Sequence, residues 1–145
     1  MAIDLKKARE VFEAYLDEYD RNDEKIKLKI VHTYGVVSCA REIGKRMKLG
    51  EEEQQLAELI ALLHDIGRYA GITSEKHLID GYKYCINYGW EKLAQICISH
   101  AFMIQDIETA IGEFDMSEED YNFMKEFIKN AKYDDYDLLV QLCDS

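Results

Sequence analysis

Apolar residues recur at intervals of three and four along almost the whole chain, which is the period of an amphipathic helix and not of a strand. Val11, Phe12, Tyr15 and Leu16 share one side of a helix expected over 4–19. Ile30, Val37, Ala40, Ile43 and Met47 line a longer one over 24–48, with Gly50 expected to end it. A third, over 51–66, opens on Glu51, Glu52 and Glu53, acids that suit the positive end of a helix dipole. Shorter helices are predicted over 74–88 and 90–101. Ser117-Glu118-Glu119-Asp120 resembles a capping box that opens a helix to about residue 131, and Asp134 to Ser145 reads as the start of another. The stretch 102–116 is the longest irregular one and is predicted to be a mobile flap. With no alternating β-branched run and no internal repeat, the expected fold is all-α, a compact bundle of six to seven helices forming one domain over 1–145.

Glycine punctuates this pattern, because the sequence has no proline. Gly35, Gly44 and Gly81 fall inside predicted helices, where each costs about 1 kcal/mol relative to alanine. Close packing or a nearby ligand is the expected reason. Met47, Met103 and Met124 read as core filler. So do Cys39, Cys85, Cys97 and Cys143, none of which forms a CxxC pair.

The chain has 145 residues, 48% of them hydrophobic, and no apolar run longer than Leu59 to Leu63. That excludes a helical membrane span, and the charged opening MAIDLKKARE lacks a signal core, so a cytoplasmic protein is expected. Net charge is −11, with twelve acids against three bases over 106–145. Such a surface repels a phosphate backbone and argues against a nucleic-acid polymer as partner. It does not exclude a small phosphorylated substrate, since a bound cation can reverse the field inside a pocket. The acids near the chain end, Asp134, Asp135 and Asp137, read as a solvated helix start.

The four histidines are the unusual feature. His100 continues the apolar series Leu93, Ile96, Cys97; His64 shares a face with Ala57, Ile60 and Ala61; His32 shares one with Leu28, Gly35, Val36 and Cys39. A buried imidazole needs partners for both nitrogens, and three such residues together point to a shared site. Asp65 follows His64 directly after LIALL. A buried carboxylate needs a cation or several donors. A metal ion would serve both residues, and an ion pair near a helix end at Gly67 is the alternative.

The order His32, His64-Asp65, Asp144 resembles the HD-domain superfamily of metal-dependent phosphohydrolases. The resemblance runs from about residue 25 to the end. It is carried by LAELIALLHDIGR, by VHTYGVVSCA before it, and by HLIDGYKYC, ICISHAF and LLVQLCDS after it. It implies His32, His64, Asp65 and Asp144 as metal ligands, with His77 and His100 for a second ion bridged by Asp65. The implied cofactor is one or two divalent ions, from Mn, Fe, Ni, Co or Zn, with Mg admissible. Arg68 stands where many relatives carry lysine; it keeps the charge and adds a fork suited to phosphate. Asp144 is the penultimate residue, where relatives continue the helix, so a loosely held ligand is expected.

The implied activity is hydrolysis of a small phosphoester, foremost a nucleotide, by water activated on the metal. Asp65 would orient the nucleophile or bridge the ions. Arg68 would clamp phosphate, with Lys76 and Lys45 as further cations. His77 or His100, where not ligating, would protonate the leaving oxygen. The competing readings are a non-catalytic helical module with a structural metal and a di-iron oxygenase. A homodimer is left open.

Overall fold

The computed structural model of the chain describes residues 5–17, 22–67, 75–110 and 112–144. Among these it is all-helical. The helices are α1 (Leu5–Leu16), α2 (Glu24–Arg46), α3 (Glu51–Leu63), α4 (Lys76–Asn87), α5 (Glu91–Ser99), α6 (Glu118–Asn130) and α7 (Asp135–Asp144), with a 3-10 turn at Ile107–Thr109. No helix among the described residues is long and apolar enough to cross a membrane.

The helix ends have local causes. Asp23 caps α2, its carboxylate accepting from the backbone N–H groups of Lys25 and Ile26 at 2.9 and 3.3 Å. α2 stops at Lys48, which takes the left-handed φ of 57° while Leu49 N–H reaches back to the Gly44 carbonyl. Gly50, expected to end α2, instead sits at the start of α3 in an extended conformation. α4 closes the same way on Gly89 at φ 73°, where the Trp90 N–H returns to the Cys85 carbonyl. Ser117 caps α6 through Asp120 N–H as the sequence suggests, but the Asp120 carboxylate turns to Lys83 Nζ at 2.9 Å.

Consecutive helices α2 and α3 pack together, as do α4 and α5, while α7 lies against α2, α3 and α5. The main core holds Phe12 and Leu16 of α1, Val36 and Ala40 of α2, Ile60 and Leu63 of α3, Ile96 of α5 and Val140 of α7. Each large side chain buried there contributes about 1.5–3 kcal/mol. A second cluster joins Leu78, Ile98, Phe102, Ile107, Met124 and Ile128. That cluster corrects the flap expectation for 102–116. Phe102 and Ile107 are buried, and Gln105 donates to the Ile128 and Ala131 carbonyls at 2.9 and 2.7 Å, so residues 102–107 are held against α6.

Other expectations also change. Gly81 approaches the Cys97 side chain closely, as expected, but an added Cβ at Gly35 would meet no described atom within 4 Å. Met124 is core, whereas Met47 and Met103 are exposed. Cys85 and Cys97 are buried, and Cys39 and Cys143 only partly so. Asp137, read as solvated, is fully buried. It accepts from Ser99 Oγ at 2.6 Å, Gln95 Nε2 at 3.1 Å and the Asp134 N–H at 2.8 Å, and pairs with Lys92. One turn on, Gln141 Nε2 donates to the Ser99 carbonyl at 2.9 Å. The start of α7 is thereby tied to the end of α5.

Candidate metal centre

His64 and His100 directly follow α3 and α5, and Asp144 is the last residue of α7. Three helix C-termini, each with a partial negative charge, therefore converge where these side chains meet, which favours a cation there. His32 comes from the middle of α2 and His77 from the first turn of α4. Gly67 allows this closeness: a Cβ on it would fall on the His77 carbonyl oxygen and the Gly81 backbone nitrogen.

All four histidines are neighbours. Ring centroids are 6.0 Å apart for His32 and His64, 5.0 Å for His64 and His100, and 5.8 Å for His77 and His100. Asp144 Oδ1 lies 2.7 Å from His32 Nε2 and 3.3 Å from His64 Nε2. Asp65 Oδ1 lies 3.2 Å from His77 Nε2 and 3.5 Å from His100 Nε2. His64 Nδ1 lies 2.6 Å from the Ala61 carbonyl and His100 Nδ1 2.9 Å from that of Ile96. A carbonyl only accepts, so in the neutral ring each Nδ1 carries the proton and each Nε2 lone pair faces the carboxylates.

Electrostatics follow from burial and these contacts. Burial alone would raise the Asp65 carboxyl, but hydrogen bonds from His100 and His77 and the charge of His64 hold it well below the usual carboxylate range. Asp144 is likewise lowered against its burial, chiefly through His64. Burial pushes His64 down, yet Asp144 and Asp65 outweigh it and raise the imidazole.

Two sets of ligand atoms could each hold an ion, with all atoms of a set within 4.8 Å of one another: His32, His64 and Asp144, and His64, Asp65 and His100. Nitrogen and carboxylate donors in these numbers fit a divalent transition metal. The second group opens, with the first, onto a pocket of about 450 Å³ lined by Leu28, Lys29, His32, Asp65, His100 and Asp144. Two roomier hollows, against α6 and against α1, contain none of the histidines.

His64 and His100 are buried as their apolar faces suggest, and Asp65 and His77 are buried with them. His32 departs from its predicted face: its side chain is 45% exposed, and Leu28 beside it is 68% exposed, because this side of α2 forms the pocket rim. Arg68 lies outside the described residues. Lys76 opens α4, where its backbone N–H donates to Asp115, and is not among the residues lining the pocket. Lys45, exposed in the last turn of α2, stands about 20 Å along the helix from His32. Lys29 was missed. Its signal was its place three residues before His32, on the same side of the helix.

An all-helical fold that gathers imidazoles and carboxylates at the floor of an open pocket defines a helical protein with the makings of a metal site. The HD domain family model matches residues 30–145, and the chain belongs to that family, which includes metal-dependent phosphohydrolases. No curated protein and no solved structure matches the chain.

Proposed function

We propose that the chain is a metal-dependent phosphohydrolase acting on a small phosphoester, foremost a nucleotide. The observation that carries the reading is the pair of candidate ligand sets around buried His64, whose members His32, Asp65, His100 and Asp144 line an accessible pocket. His32, His64, Asp65 and Asp144 would hold one ion, and His77 and His100 with Asp65 would hold a second, because the one Nε2 lone pair of His64 can serve a single ion. A divalent cation there would supply Lewis acidity that lowers the pKa of bound water toward neutrality. The pocket leaves room for water and a substrate, unlike a closed structural site.

The chain's own groups do the rest. The carbonyls of Ala61 and Ile96 hold His64 and His100 in one tautomer and orientation. His77 orients Asp65, whose low pKa keeps it a carboxylate at neutral pH. Asp65 thus accepts a proton bond from the attacking water or bridges the ions. Arg68 and Lys76 are proposed to contact substrate phosphate. His77 or His100, whichever does not ligate, is positioned to return a proton to the leaving oxygen.

The test is metal analysis of protein purified without chelator, then phosphatase assays with Mn²⁺, Co²⁺ and Ni²⁺ before and after EDTA. Turnover should need metal and should fall at least about 100-fold in Asp65→Ala with helicity unchanged. Bound metal without turnover would support the structural-metal reading. Oxygen consumption dependent on iron would support an oxygenase.

A further inference from the structure

Away from the metal centre, the hollow against α6, of about 620 Å³, is built largely from one face of that helix. Glu119, Phe123, Glu126 and Asn130 recur along it at intervals of four, three and four, with Asn122 and Phe127 beside them. From Glu119 to Asn130 the helix advances about 16 Å, so the hollow is a groove long enough to seat about three turns of a second helix. Its floor is aromatic. Phe123 and Phe127 pack on Tyr82 of α4, with ring centroids 5.1 and 5.3 Å away. The Lys83–Asp120 ion pair also holds α6 against α4. Gln95 of α5 borders the groove, its amide nitrogen donating to the Lys132 carbonyl at 3.1 Å and to the buried Asp137. The groove therefore stands on fixed elements, which lowers the ordering cost of binding.

Phe123 is 41% exposed, between two carboxylates seven residues apart. One exposed aromatic ring is ordinary on a protein surface; two that line one groove form an apolar strip. No lysine, arginine or histidine lines the groove, and Lys125 and Lys129 of α6 lie outside it. Among the described residues neither Glu119 nor Glu126 has an ion-pair partner. With twelve acids against three bases over 106–145, the field over this face is negative. Charge complementarity then sets the occupant. It must bring apolar side chains to the two phenylalanines and positive charge to the two glutamates. An anionic segment is repelled, and an uncharged apolar one leaves the carboxylates desolvated and unpaired.

We propose that this groove docks a basic amphipathic helix of a partner protein. Apolar residues of that helix at spacings of three and four would seat on Phe123 and Phe127, with a lysine or arginine opposite each of Glu119 and Glu126. The proposal is independent of the hydrolase reading, because the groove contains none of the histidines.

Fluorescence anisotropy of a labelled synthetic helix of about 14 residues, with leucines at spacings of three and four and lysines on both flanks, tests it. The peptide should bind with a Kd on the order of 10–100 µM at low salt, and at least about fivefold more weakly at roughly 0.3 M salt. Glu119→Gln combined with Glu126→Gln should weaken binding at least about fivefold, and Phe123→Ser about tenfold, with melting temperatures close to wild type. If Phe123→Ser melts lower, the glutamine pair decides alone. Glu51→Gln with Glu52→Gln removes the same charge from the first turn of α3 and should leave binding unchanged, which separates the groove from general attraction to an acidic protein. A peptide with glutamates in place of the lysines should not bind. Equal loss in the two double variants, equal affinity for the two peptides, or no binding of the lysine peptide at about 1 mM overturns the proposal. So does sedimentation of the protein alone as a dimer that Phe123→Ser dissolves, because the face would then belong to a second copy of the chain.

Discussion

Removing the Asp137 carboxylate should unlatch α7 from α5. Asp137 is fully buried, and Ser99, also fully buried, donates to it at 2.6 Å. In Asp137→Ala the Ser99 hydroxyl loses that acceptor where water cannot replace it, at about 1–3 kcal/mol. Lys92 loses its buried counter-charge, but its side chain is 30% exposed and can turn to solvent. Its share therefore falls below the roughly 3–5 kcal/mol of a closed buried pair. The bond from the Asp134 N–H, which steadies the start of α7, goes as well. Together these give about 3 kcal/mol, or a drop of about 10 °C in melting temperature for a chain of this size. Urea unfolding of the metal-free protein reads the loss directly. Asp137→Asn keeps an oxygen for Ser99 and should recover at least about 1 kcal/mol relative to alanine. Because α7 carries Asp144 and α5 leads into His100, Mn²⁺ affinity should fall in the same order. A loss below about 1 kcal/mol in Asp137→Ala would refute the reasoning, since the network would then be incidental to the docking of α7.

Two further outcomes follow from the same coordinates. Gly67→Ala pushes a methyl group onto the backbone of α4 and should cost at least about 2 kcal/mol and lower metal stoichiometry, whereas Gly35→Ala meets no described atom within 4 Å and should stabilise by about 0.5–1 kcal/mol; thermal unfolding that ranks the two the other way defeats the close-approach argument. Burial pushes Asp137 up, but Lys92, Ser99, the Asp134 N–H and Gln95 bring its pKa below the usual carboxylate value, so its charge stabilises the fold above that value and this contribution is lost as pH falls through the folded one. The stability gap between wild type and Asp137→Asn should therefore narrow from about pH 5 to about pH 3, and a gap that stays constant over that window would show that the charge contributes nothing.

Helix positions were legible because each rests on local physics: a 3.6-residue apolar period, an Asp23 or Ser117 cap, acids in the first turn of α3. The expected ranges and the observed helices agree to within a few residues. Glycine roles were less legible. Gly50 was expected to end α2, but Lys48 takes the left-handed conformation there and Gly50 instead begins α3. Side-chain exposure failed where a residue's surroundings come from distant segments. Asp137 sits in an acidic run and looks solvated, yet α5 covers it with Ser99, Gln95 and Lys92. Leu28 continues an apolar face and looks buried, yet no described helix covers it.

The kinds of donor and their order along the chain, His32, His64-Asp65, His77, His100 and Asp144, could be read from the residues alone, since periodicity placed most of them on faces that fold inward. Whether they meet was a matter for packing. Asp144 comes within 2.7 Å of a histidine 112 residues earlier only because α7 lies against α2, α3 and α5. The opening beside that cluster, with Lys29 and Leu28 at its rim, depends likewise on which side of α2 is left uncovered. Local interactions act over a few residues and shape helices; long-range packing of those helices sets which charges share a cavity, and a linear pattern does not contain those distances.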